Sequence, residues 1–361
     1  MIPISICVIA KNEEKHMENF LSSIKKHFEG YPYELVIVDT GSTDRTIEIA
    51  KKYTNRVLYF EWIKDFSAAR NFSIQKASHN WILVLDCDEY VTDLNFEGLQ
   101  TFMEQHPHST GTITRKDLHD VNNPQDYFLE QVERFFNRRN FCYMAPIHEQ
   151  VRPLDGSDDI ERLPIPLTAE HYGYSGGYEE MCKKAERNNE ILFKCLEDYP
   201  PSPYVYFQLG QSFSVMHDYE KACFYYGKGL EFDVNPQVEY VNHMVIGYGY
   251  ALLKAGRREE ALQFENIYDD FAYSAEFVNL MGNIYSENNM YIKAMAEYLK
   301  ATTFKFSQAA GENSYIPTYN MGCINERLGE SDAAIQLYQK CGNYPPAVAR
   351  LNALMKGLKN E

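Results

Sequence analysis

The first hundred residues of the chain alternate short apolar runs with amphipathic stretches. Runs rich in Val, Ile and aromatic residues predict four strands: Ile4–Ala10, Leu35–Asp39, Val57–Trp62 and Trp81–Leu85. Helical periodicity marks the three stretches between them: Glu14–Phe28, Thr43–Tyr53 and Phe66–Ala77. Strand–helix alternation of this kind predicts a parallel sheet with right-handed crossovers.

The pattern then loosens between positions 111 and 151. The best strand candidates there are Ile113-Thr114, Val132–Phe136 and Ile147–Val151. Further along, Pro164 and Pro166 are expected to break the chain ahead of a His-Tyr-Gly-Tyr run.

Everything from Tyr178 onward has helical periodicity, beginning with the helix pair Tyr204–Val215 and Tyr219–Leu230. The change of pattern predicts two domains, residues 1–175 and 176–361.

A glycine is followed twelve residues later by an alanine in four places along this helical part: Gly210/Ala222, Gly249/Ala261, Gly282/Ala294 and Gly322/Ala334. Tyrosines follow three of those alanines by four residues: Tyr226, Tyr298 and Tyr338. The arrangement resembles degenerate tetratricopeptide repeats, whose small residues lie where two helices cross closely. The alternative is an irregular helical bundle. Repeat arrays form concave surfaces that bind peptides or partner chains.

Composition narrows the function classes. The 361 residues are 45% hydrophobic and 24% charged, and the formal net charge is −16. This acidity argues against binding to nucleic acid or to anionic membranes. Apolar runs fall far short of the roughly 20 residues that span a bilayer, and no secretory signal is visible. The eight cysteines lack zinc-type spacing, so we expect reduced thiols in a cytoplasmic protein.

The strongest chemical signal is an apolar run that ends in two aspartates, Asp86 and Asp88. Residues two apart on an extended chain share a face, and ligands bind at the carboxyl ends of such strands. Two carboxylates there suit Mg²⁺ or Mn²⁺ carrying a diphosphate. The alternative is a strand that simply ends in an acidic turn.

The turns after the first two strands separate two kinds of nucleotide site. A dinucleotide-binding dehydrogenase needs a Gly-rich turn after its first strand, and this chain has Ala10-Lys11-Asn12-Glu13-Glu14 there instead. After the second strand, Asp39 precedes Gly41, which permits a tight turn, and Ser42 or Thr43 can cap the next helix. Asp39 can close this turn, or it can accept the N3–H of a uracil base.

Four motifs in order resemble the family 2 glycosyltransferases of GT-A fold: Ile6–Glu14, Ile37–Thr46, Asp65–Asn71 and Leu85–Glu89. Two further segments extend the match to about residue 175: Pro146–Glu149 and Glu170–Tyr174. With the helical tail, the layout is similar to bacterial members that carry tetratricopeptide-like domains, in particular the sublancin S-glycosyltransferase group, which modifies bacteriocin peptides. The resemblance implies an α/β GT-A domain with a Rossmann-like mixed sheet, followed by an all-α repeat domain.

The resemblance also implies a donor site for a UDP-sugar. Asp39 would meet the uracil, and Arg70 would lie near the nucleotide or its phosphates. Three residues would line the nucleotide pocket: Ala10, Asn12 and Glu14.

For the metal, the resemblance implies that Asp86 reaches the ribose or the ion and that Asp88 binds the ion directly. His171 fits the third ligand that some members contribute from beyond the sheet. Cys87 replaces the small residue usual between the aspartates, and its side chain should point into the core.

The reaction itself constrains further roles. Displacement of a nucleoside diphosphate builds negative charge that a divalent cation can neutralise, and Arg134 or Arg138 can assist because guanidinium matches phosphate. In-line attack inverts the anomeric centre, and a base on the opposite face helps the acceptor. Glu149 can be that base, or His148 can orient or deprotonate the acceptor; alternatively both join a structural salt-bridge network.

We therefore predict an inverting, metal-dependent transferase that moves a hexose of the glucose or N-acetylglucosamine type to Ser, Thr or Cys of a peptide or protein. The repeats would recruit this acceptor or a second copy of the chain, giving a homodimer. The alternatives are a transferase of surface polysaccharide or lipid-linked glycan assembly and a non-catalytic repeat scaffold. A nucleotidyltransferase would need a basic, Gly-rich triphosphate loop, which is not visible.

Overall fold

The computed structural model describes residues 1–118, 127–157, 160–173 and 177–357. The chain divides into two compact units, 1–177 and 178–361. The predicted domain boundary at 175/176 and the predicted motif residue Tyr174 lie outside the described residues. Within the described ranges, none of the helices combines the length and apolar character that crossing a membrane requires.

The first unit is built of strands and helices in the following order: β1 Ile4–Ala10, α1 Glu14–His27, β2 Tyr33–Asp39, α2 Thr46–Ala50, β3 Val57–Tyr59, α3 Phe66–Lys76, β4 Trp81–Val84, β5 Glu89–Leu94, α4 Phe96–Gln105, β6 Thr110–Leu118, β7 Tyr127–Asn137, β8 Phe141–Met144, β9 Gln150–Pro153 and β10 Arg162–His171.

An eight-stranded mixed sheet forms the centre of this unit, in the order β3-β2-β1-β4-β7-β6-β10-β5. The four strands β3, β2, β1 and β4 are parallel, as the alternating pattern predicts, and β7 runs antiparallel to both of its neighbours. Ala10 lies opposite Asp39 where β1 and β2 end. The loops that follow β1, β2 and β4 therefore meet at one edge of the sheet, where ligands bind in such folds.

The central strands are buried on both faces, which explains their nearly continuous apolar sequences. In β1, Ile6 and Val8 pack into the larger core cluster, whereas Cys7 packs on the other face with Val36 and Val84. Cys87 is also buried in the larger cluster, so the prediction that its side chain points into the core is confirmed.

Two predictions, one about β10 and one about β9, are wrong. Pro164 and Pro166 lie inside β10 rather than breaking the chain. Proline has no N–H to donate to a neighbouring strand. The pairing of β10 with β6 shifts register between Pro164 and Thr168, so no hydrogen bond from these positions is required. The strand expected from Ile147 begins only at Gln150, because the backbone of His148 is in the left-handed region, with φ of 48°.

Two elements are shorter than the sequence predicts. The helix expected over 43–53 covers only Thr46–Ala50, because the Asp44 carboxylate accepts the N–H of Thr46 at 2.9 Å and holds the preceding residues in a turn. The third strand ends at Tyr59.

Helices make up the regular structure that is described in the second unit: α5 Tyr178–Asp198, α6 Pro203–Val215, α7 Tyr219–Leu230, α8 Glu239–Lys254, α9 Arg258–Ala261, a 3-10 helix Leu262–Ile267, α10 Tyr268–Phe271, α11 Ala275–Glu287, α12 Tyr291–Ala301, α13 Tyr315–Arg327, α14 Ser331–Lys340 and α15 Pro345–Gly357.

The predicted repeat packing is confirmed by the glycines. A Cβ at Gly282 would lie 2.5 Å from the ring of Tyr298, and one at Gly322 would lie 2.6 Å from the ring of Tyr338. Each tyrosine sixteen residues on therefore fills the space that its glycine leaves. The four alanines at the crossings are fully buried: Ala222, Ala261, Ala294 and Ala334.

The second repeat departs from this pattern. Position 265 carries a glutamate instead of a tyrosine, and Gly249 faces Leu280 of α11. Without an aromatic to pack, the second helix of this pair divides into α9, the 3-10 helix and α10.

Candidate active site

The loops after β1 and β2 are joined by side chain–backbone hydrogen bonds. Asn12, with φ of 56°, accepts the N–H of Thr43 through Oδ1 at 2.8 Å. The N–H of Asn12 donates to Ser42 Oγ at 2.9 Å. Glu14 accepts the N–H of Arg45 through Oε2 at 3.0 Å. Asn12 and Glu14, both predicted to line a nucleotide pocket, thus build the walls of one loop cluster at the sheet edge.

Asp39 closes the turn after β2. Its carboxylate accepts the N–H of Gly41 at 3.0 Å and of Ser42 at 3.1 Å, and Gly41 has φ of 107°, which favours glycine. The carbonyl oxygen of Ala10 accepts the N–H of Thr40 at 2.9 Å. Asp39 and Ala10 are therefore adjacent and rigidly held, and the turn function of Asp39 is realised whether or not a base binds there.

Asp86 lies between two buried arginines at the end of β4. Arg70 donates from Nη2 to Asp86 Oδ1 at 2.8 Å, and Arg134 donates from Nη2 to Asp86 Oδ2 at 2.7 Å. Burial alone would raise the pKa of Asp86, but the charges of Arg134 and Arg70 lower it far below the ordinary value. Both carboxylate oxygens of Asp86 are thus bound to guanidinium groups.

This ion-pair network continues in both directions. Arg70 donates from Nε to Glu149 Oε1 on one side. On the other side, Glu89 Oε1 accepts two hydrogen bonds. One comes from Arg134 Nη2 at 2.7 Å and the other from Arg115 Nη1 at 3.3 Å. Glu89 is 0% exposed, and its Oε2 accepts the N–H of Asp86 at 3.0 Å. Sequence reasoning missed Glu89 and Arg115, although Glu89 directly follows the Asp-x-Asp motif.

A second carboxylate–histidine arrangement lies beside this network. Strand pairing places His171 of β10 opposite Asp117 of β6. The His171 Nδ1–H donates to Asp117 Oδ1 at 2.7 Å, and Nε2 lies 3.4 Å from Asp88 Oδ2. Burial would lower the pKa of His171, but its bonds to Asp117 and Asp88 raise it to about 9. The structure thus brings together two predicted metal ligands and adds Asp117, which sequence reasoning missed.

Gly173 makes room for this pair. A Cβ at Gly173 would lie 2.8 Å from Asp88 Oδ2 and would overlap His171 Nε2. Any side chain at this position would therefore enter the space where the carboxylate oxygen and the imidazole nitrogen converge.

The donor set fits a divalent cation held by two side chains. Asp88 offers a carboxylate oxygen, His171 offers Nε2, and Asp117 orients the imidazole in the way typical of metal-binding histidines. Clusters of three or more His, Cys, Asp or Glu side chains that can hold a metal are absent from the described residues. Mg²⁺ and Mn²⁺ commonly bind through one or two carboxylates together with substrate phosphates and water, so two protein ligands suffice.

Three buried polar atoms beside Asp86 have no hydrogen-bond partner within the described ranges: Arg70 Nη1, Arg134 Nε and Tyr143 Oη. The Arg70 guanidinium also lies 5.5 Å from the centroid of the Tyr143 ring. Buried donors are costly to leave unpaired, so an oxygen of a ligand at this place would be favoured.

The remaining predicted residues occupy different places. His148 is half-buried in the loop between β8 and β9, and burial lowers its pKa to about 4, so its imidazole is neutral at pH 7. The Arg138 side chain donates to the carbonyl oxygens of Ile74 and Ala77, and its backbone N–H donates to the carbonyl oxygen of Asn80, just before β4 begins. Of the two arginines considered for phosphate, only Arg134 therefore reaches Asp86 at the carboxyl end of β4.

Comparison with known proteins assigns both units. Residues 5–153 match the family described as glycosyl transferase family 2, and residues 275–307 and 319–346 match the tetratricopeptide repeat. The first unit therefore contains a domain of the glycosyltransferase class, and tetratricopeptide repeats follow it in the second. The predicted fold class, with an α/β GT-A-like domain ahead of helical repeats, is confirmed.

Three curated relatives match parts of this chain. A TPR repeat-containing protein of Synechococcus elongatus is 31% identical over 218 residues, which cover 58% of this chain and 52% of the relative. The SPbeta prophage-derived glycosyltransferase SunS of Bacillus subtilis is 24% identical over 234 residues, covering 63% and 53%. This match confirms the predicted resemblance to the sublancin group.

The poly(ribitol-phosphate) β-N-acetylglucosaminyltransferase TarS of Staphylococcus aureus is 29% identical over 136 residues, which cover 36% of this chain and 24% of TarS. The crystal structure of TarS 1-349 covers 84% of this chain and 91% of that chain, with 16% identity and a TM-score of 0.36. The chain spans about half the length, or less, of these curated relatives.

Proposed function

We propose that this protein is a metal-dependent, inverting glycosyltransferase that moves a hexose of the glucose or N-acetylglucosamine type from a UDP-sugar to Ser, Thr or Cys of a polypeptide. One observation carries the proposal. Asp88 Oδ2 and His171 Nε2 converge to 3.4 Å at the ligand-binding edge of a family 2 sheet. A carboxylate and an imidazole so placed suit a cation that accompanies a nucleoside diphosphate.

Mn²⁺ or Mg²⁺ would be held by Asp88 and His171. When bound, the cation supplies a positive charge that neutralises the charge developing on the leaving UDP. Asp117 would keep a proton on His171 Nδ1, so that the cation would replace the proton on Nε2, the nitrogen that faces Asp88. Asp86 does not need to bind the cation in this proposal, because its oxygens hold Arg70 and Arg134.

The uridine would lie against the loop cluster of Ala10, Asn12, Glu14 and Asp39. A carboxylate has about four acceptor positions, so Asp39 can bind the turn N–H groups of Gly41 and Ser42 and still accept the uracil N3–H. Asp39 is only 3% exposed. Its rigid position would favour uracil over bases that do not offer a donor there.

Arg70 and Arg134 supply positive charge beside the metal-binding pair. Each has one buried nitrogen, Arg70 Nη1 and Arg134 Nε, that donates to no acceptor in the described part of the chain. An oxygen of the UDP-sugar would satisfy such a donor. Asp86 would then orient the two guanidinium groups, and its 31% exposed side chain could also meet the ribose.

On the acceptor side, His148 and Glu149 take different roles. Glu149 already accepts a hydrogen bond from Arg70 Nε through Oε1. His148 is neutral at pH 7 because burial lowers its pKa to about 4. We assign His148 the role of accepting the proton of the acceptor group. Glu149 would hold Arg70 in position.

A polypeptide acceptor is supported by the repeats, since such arrays bind extended chains. A second candidate acceptor is a surface polysaccharide. Two relatives favour it by name: TarS acts on poly(ribitol-phosphate), and LpsC of Rhizobium meliloti, 29% identical over 93 residues, is a lipopolysaccharide core transferase. All eight cysteines are free thiols, which supports a cytoplasmic location.

The test is transfer from radiolabelled UDP-glucose and UDP-N-acetylglucosamine, each with Mn²⁺, to a peptide library and to poly(ribitol-phosphate). Asp88→Asn should abolish release of UDP, whereas Asp93→Asn, at an exposed position of β5, should not. Label on peptides supports the proposal, and label on poly(ribitol-phosphate) alone favours the second candidate. Equal activity of wild type and Asp88→Asn would contradict the assigned site.

A further inference from the structure

Residues of α5, α6 and α7 line an open cleft of about 570 Å³ at the start of the repeat domain. The six side chains that matter for its chemistry are Glu186, Asn189, Glu190, Phe193, Phe213 and Asp218. The cleft thus combines aromatic, acidic and amide groups, and the tetratricopeptide matches at 275–307 and 319–346 do not reach it.

An aromatic cluster forms one side of the cleft. The rings of Phe213 and Tyr225 are stacked with centroids 5.2 Å apart, and Phe193 lies 6.4 Å from Phe213. Phe193, within α5, is 37% exposed. Lys221 places its Nζ 5.1 Å from the Phe213 centroid and 2.6 Å from Asp218 Oδ2. The cleft therefore already stabilises one cation of the chain itself.

The polar groups around these rings favour a positively charged ligand. Glu186, Glu190 and Asp218 bring three acidic groups, whereas Lys221 brings one basic group. Asn189 is only 6% exposed, and its Oδ1 accepts no hydrogen bond from the residues that the structure describes. A buried carbonyl oxygen without a donor is unfavourable, and a ligand N–H would supply the missing donor.

We infer that this cleft binds a basic side chain, arginine in particular, of the polypeptide acceptor. A guanidinium is planar, stacks on aromatic rings and carries several donors at once. It can therefore pack on Phe193, pair with Glu186 or Glu190 and donate to Asn189 Oδ1. The inference rests on the proposed function for the identity of the acceptor, and it assigns the acceptor a basic residue outside the modified one.

The test uses the full chain without nucleotide and two fluorescein-labelled Gly/Ser peptides, one with a single arginine and its twin with citrulline. Citrulline has nearly the same shape without the charge. The arginine peptide should bind about tenfold more tightly than its twin, since charge and cation–π attraction both act on it. Phe193→Ala and Glu190→Gln should each remove most of this preference.

Matched variants separate the cleft from general effects. Phe224 is an exposed aromatic residue on α7, and Glu259 is an exposed acid on α9. Phe224→Ala and Glu259→Gln should therefore leave arginine binding unchanged. Lys221→Met should strengthen binding, because it frees Phe213 from the chain's own cation. An equal loss in the control variants, or equal binding of the two peptides, would overturn the inference.

Failure of this inference differs from failure of the proposed function. UDP binding with Mn²⁺ is measured on the same preparations. If UDP binds and the arginine peptide does not, the cleft proposal fails while the transferase proposal stands. If the arginine peptide binds selectively and UDP does not bind, the cleft is a peptide site and the transferase proposal fails.

Discussion

Asp117 and His171 are directly paired across β6 and β10, and their 2.7 Å hydrogen bond decides which imidazole nitrogen faces Asp88. With a proton held on Nδ1, Nε2 is the nitrogen that lies 3.4 Å from the Asp88 carboxylate; it is protonated at pH 7 in the metal-free protein, and a bound cation would replace that proton. Burial would raise the pKa of Asp117, but its bond from His171 and the charge of Arg115 lower it, so it remains ionised and keeps this orientation.

Asp117→Asn should therefore weaken metal binding without removing a ligand. The amide loses the charge that favours Nδ1–H, and loss of such an orienting carboxylate costs about 10- to 100-fold in metal affinity. Titration of Mn²⁺ followed by electron paramagnetic resonance measures the change. The exposed Asp93→Asn serves as control. Unchanged Mn²⁺ affinity in Asp117→Asn would show that the orientation of His171 has no influence on the ion.

Gly173→Ala should act on the same pair by steric overlap alone. The new methyl group would lie 2.8 Å from Asp88 Oδ2 and would overlap His171 Nε2, so we expect loss of Mn²⁺ binding while both ligands remain. Gly177→Ala is the matched control, because a Cβ there meets nothing within 4 Å. Equal Mn²⁺ titrations for the two variants would contradict this explanation for the glycine.

Glu89→Gln should lower stability strongly. Glu89 is fully buried and binds Arg115, Arg134 and the N–H of Asp86. Removing one charge of a buried ion pair typically costs about 3–5 kcal/mol, because the partner charge stays buried. Urea unfolding gives the free energy of unfolding, and the exposed Glu97→Gln should change it little. A loss below about 1 kcal/mol would mean that the arginines find other partners.

The pKa of His148 determines where we expect transferase activity to fall at low pH. Burial lowers its pKa to about 4, so the imidazole can accept a proton at every pH above that value. Transfer to acceptor should fall only as the pH drops toward about 4, whereas an ordinary histidine would lose activity near 6.5. In His148→Gln, UDP should still bind while transfer is slow. The control is His108→Gln on the exposed loop before β6, and a profile that stays the same in His148→Gln assigns the base elsewhere.

Much of the molecule follows from local sequence patterns. The strands that end at Ala10 and Asp39, the aspartates Asp86 and Asp88, and the Gly–Ala–Tyr spacing of the repeats all depend on neighbours close along the chain. Their consequences therefore appear in one sequence. Even His171 was predicted, though from a family resemblance and not from a pattern.

The partners Glu89, Arg115 and Asp117 depend on register instead. His171 lies opposite Asp117 on β6 and opposite Glu89 on β5, and these three strands are neighbours only because of the sheet order β6-β10-β5. No periodicity within a single strand encodes that order. The prediction that Pro164 and Pro166 break the chain was wrong for a related reason. A shift of register between β10 and β6 accommodates both prolines inside the strand.

The most direct test of the account is thermal unfolding of wild type and Asp88→Asn with UDP, GDP or TDP, each with Mn²⁺ or with EDTA. A ligand at a hundred times its dissociation constant adds about 2.7 kcal/mol of stability. The account predicts a clear upward shift for wild type with UDP and Mn²⁺ together, and none for Asp88→Asn or in EDTA. If no nucleotide stabilises the wild type, or if UDP stabilises both proteins equally in EDTA, Asp88 and His171 are not a metal–nucleotide site.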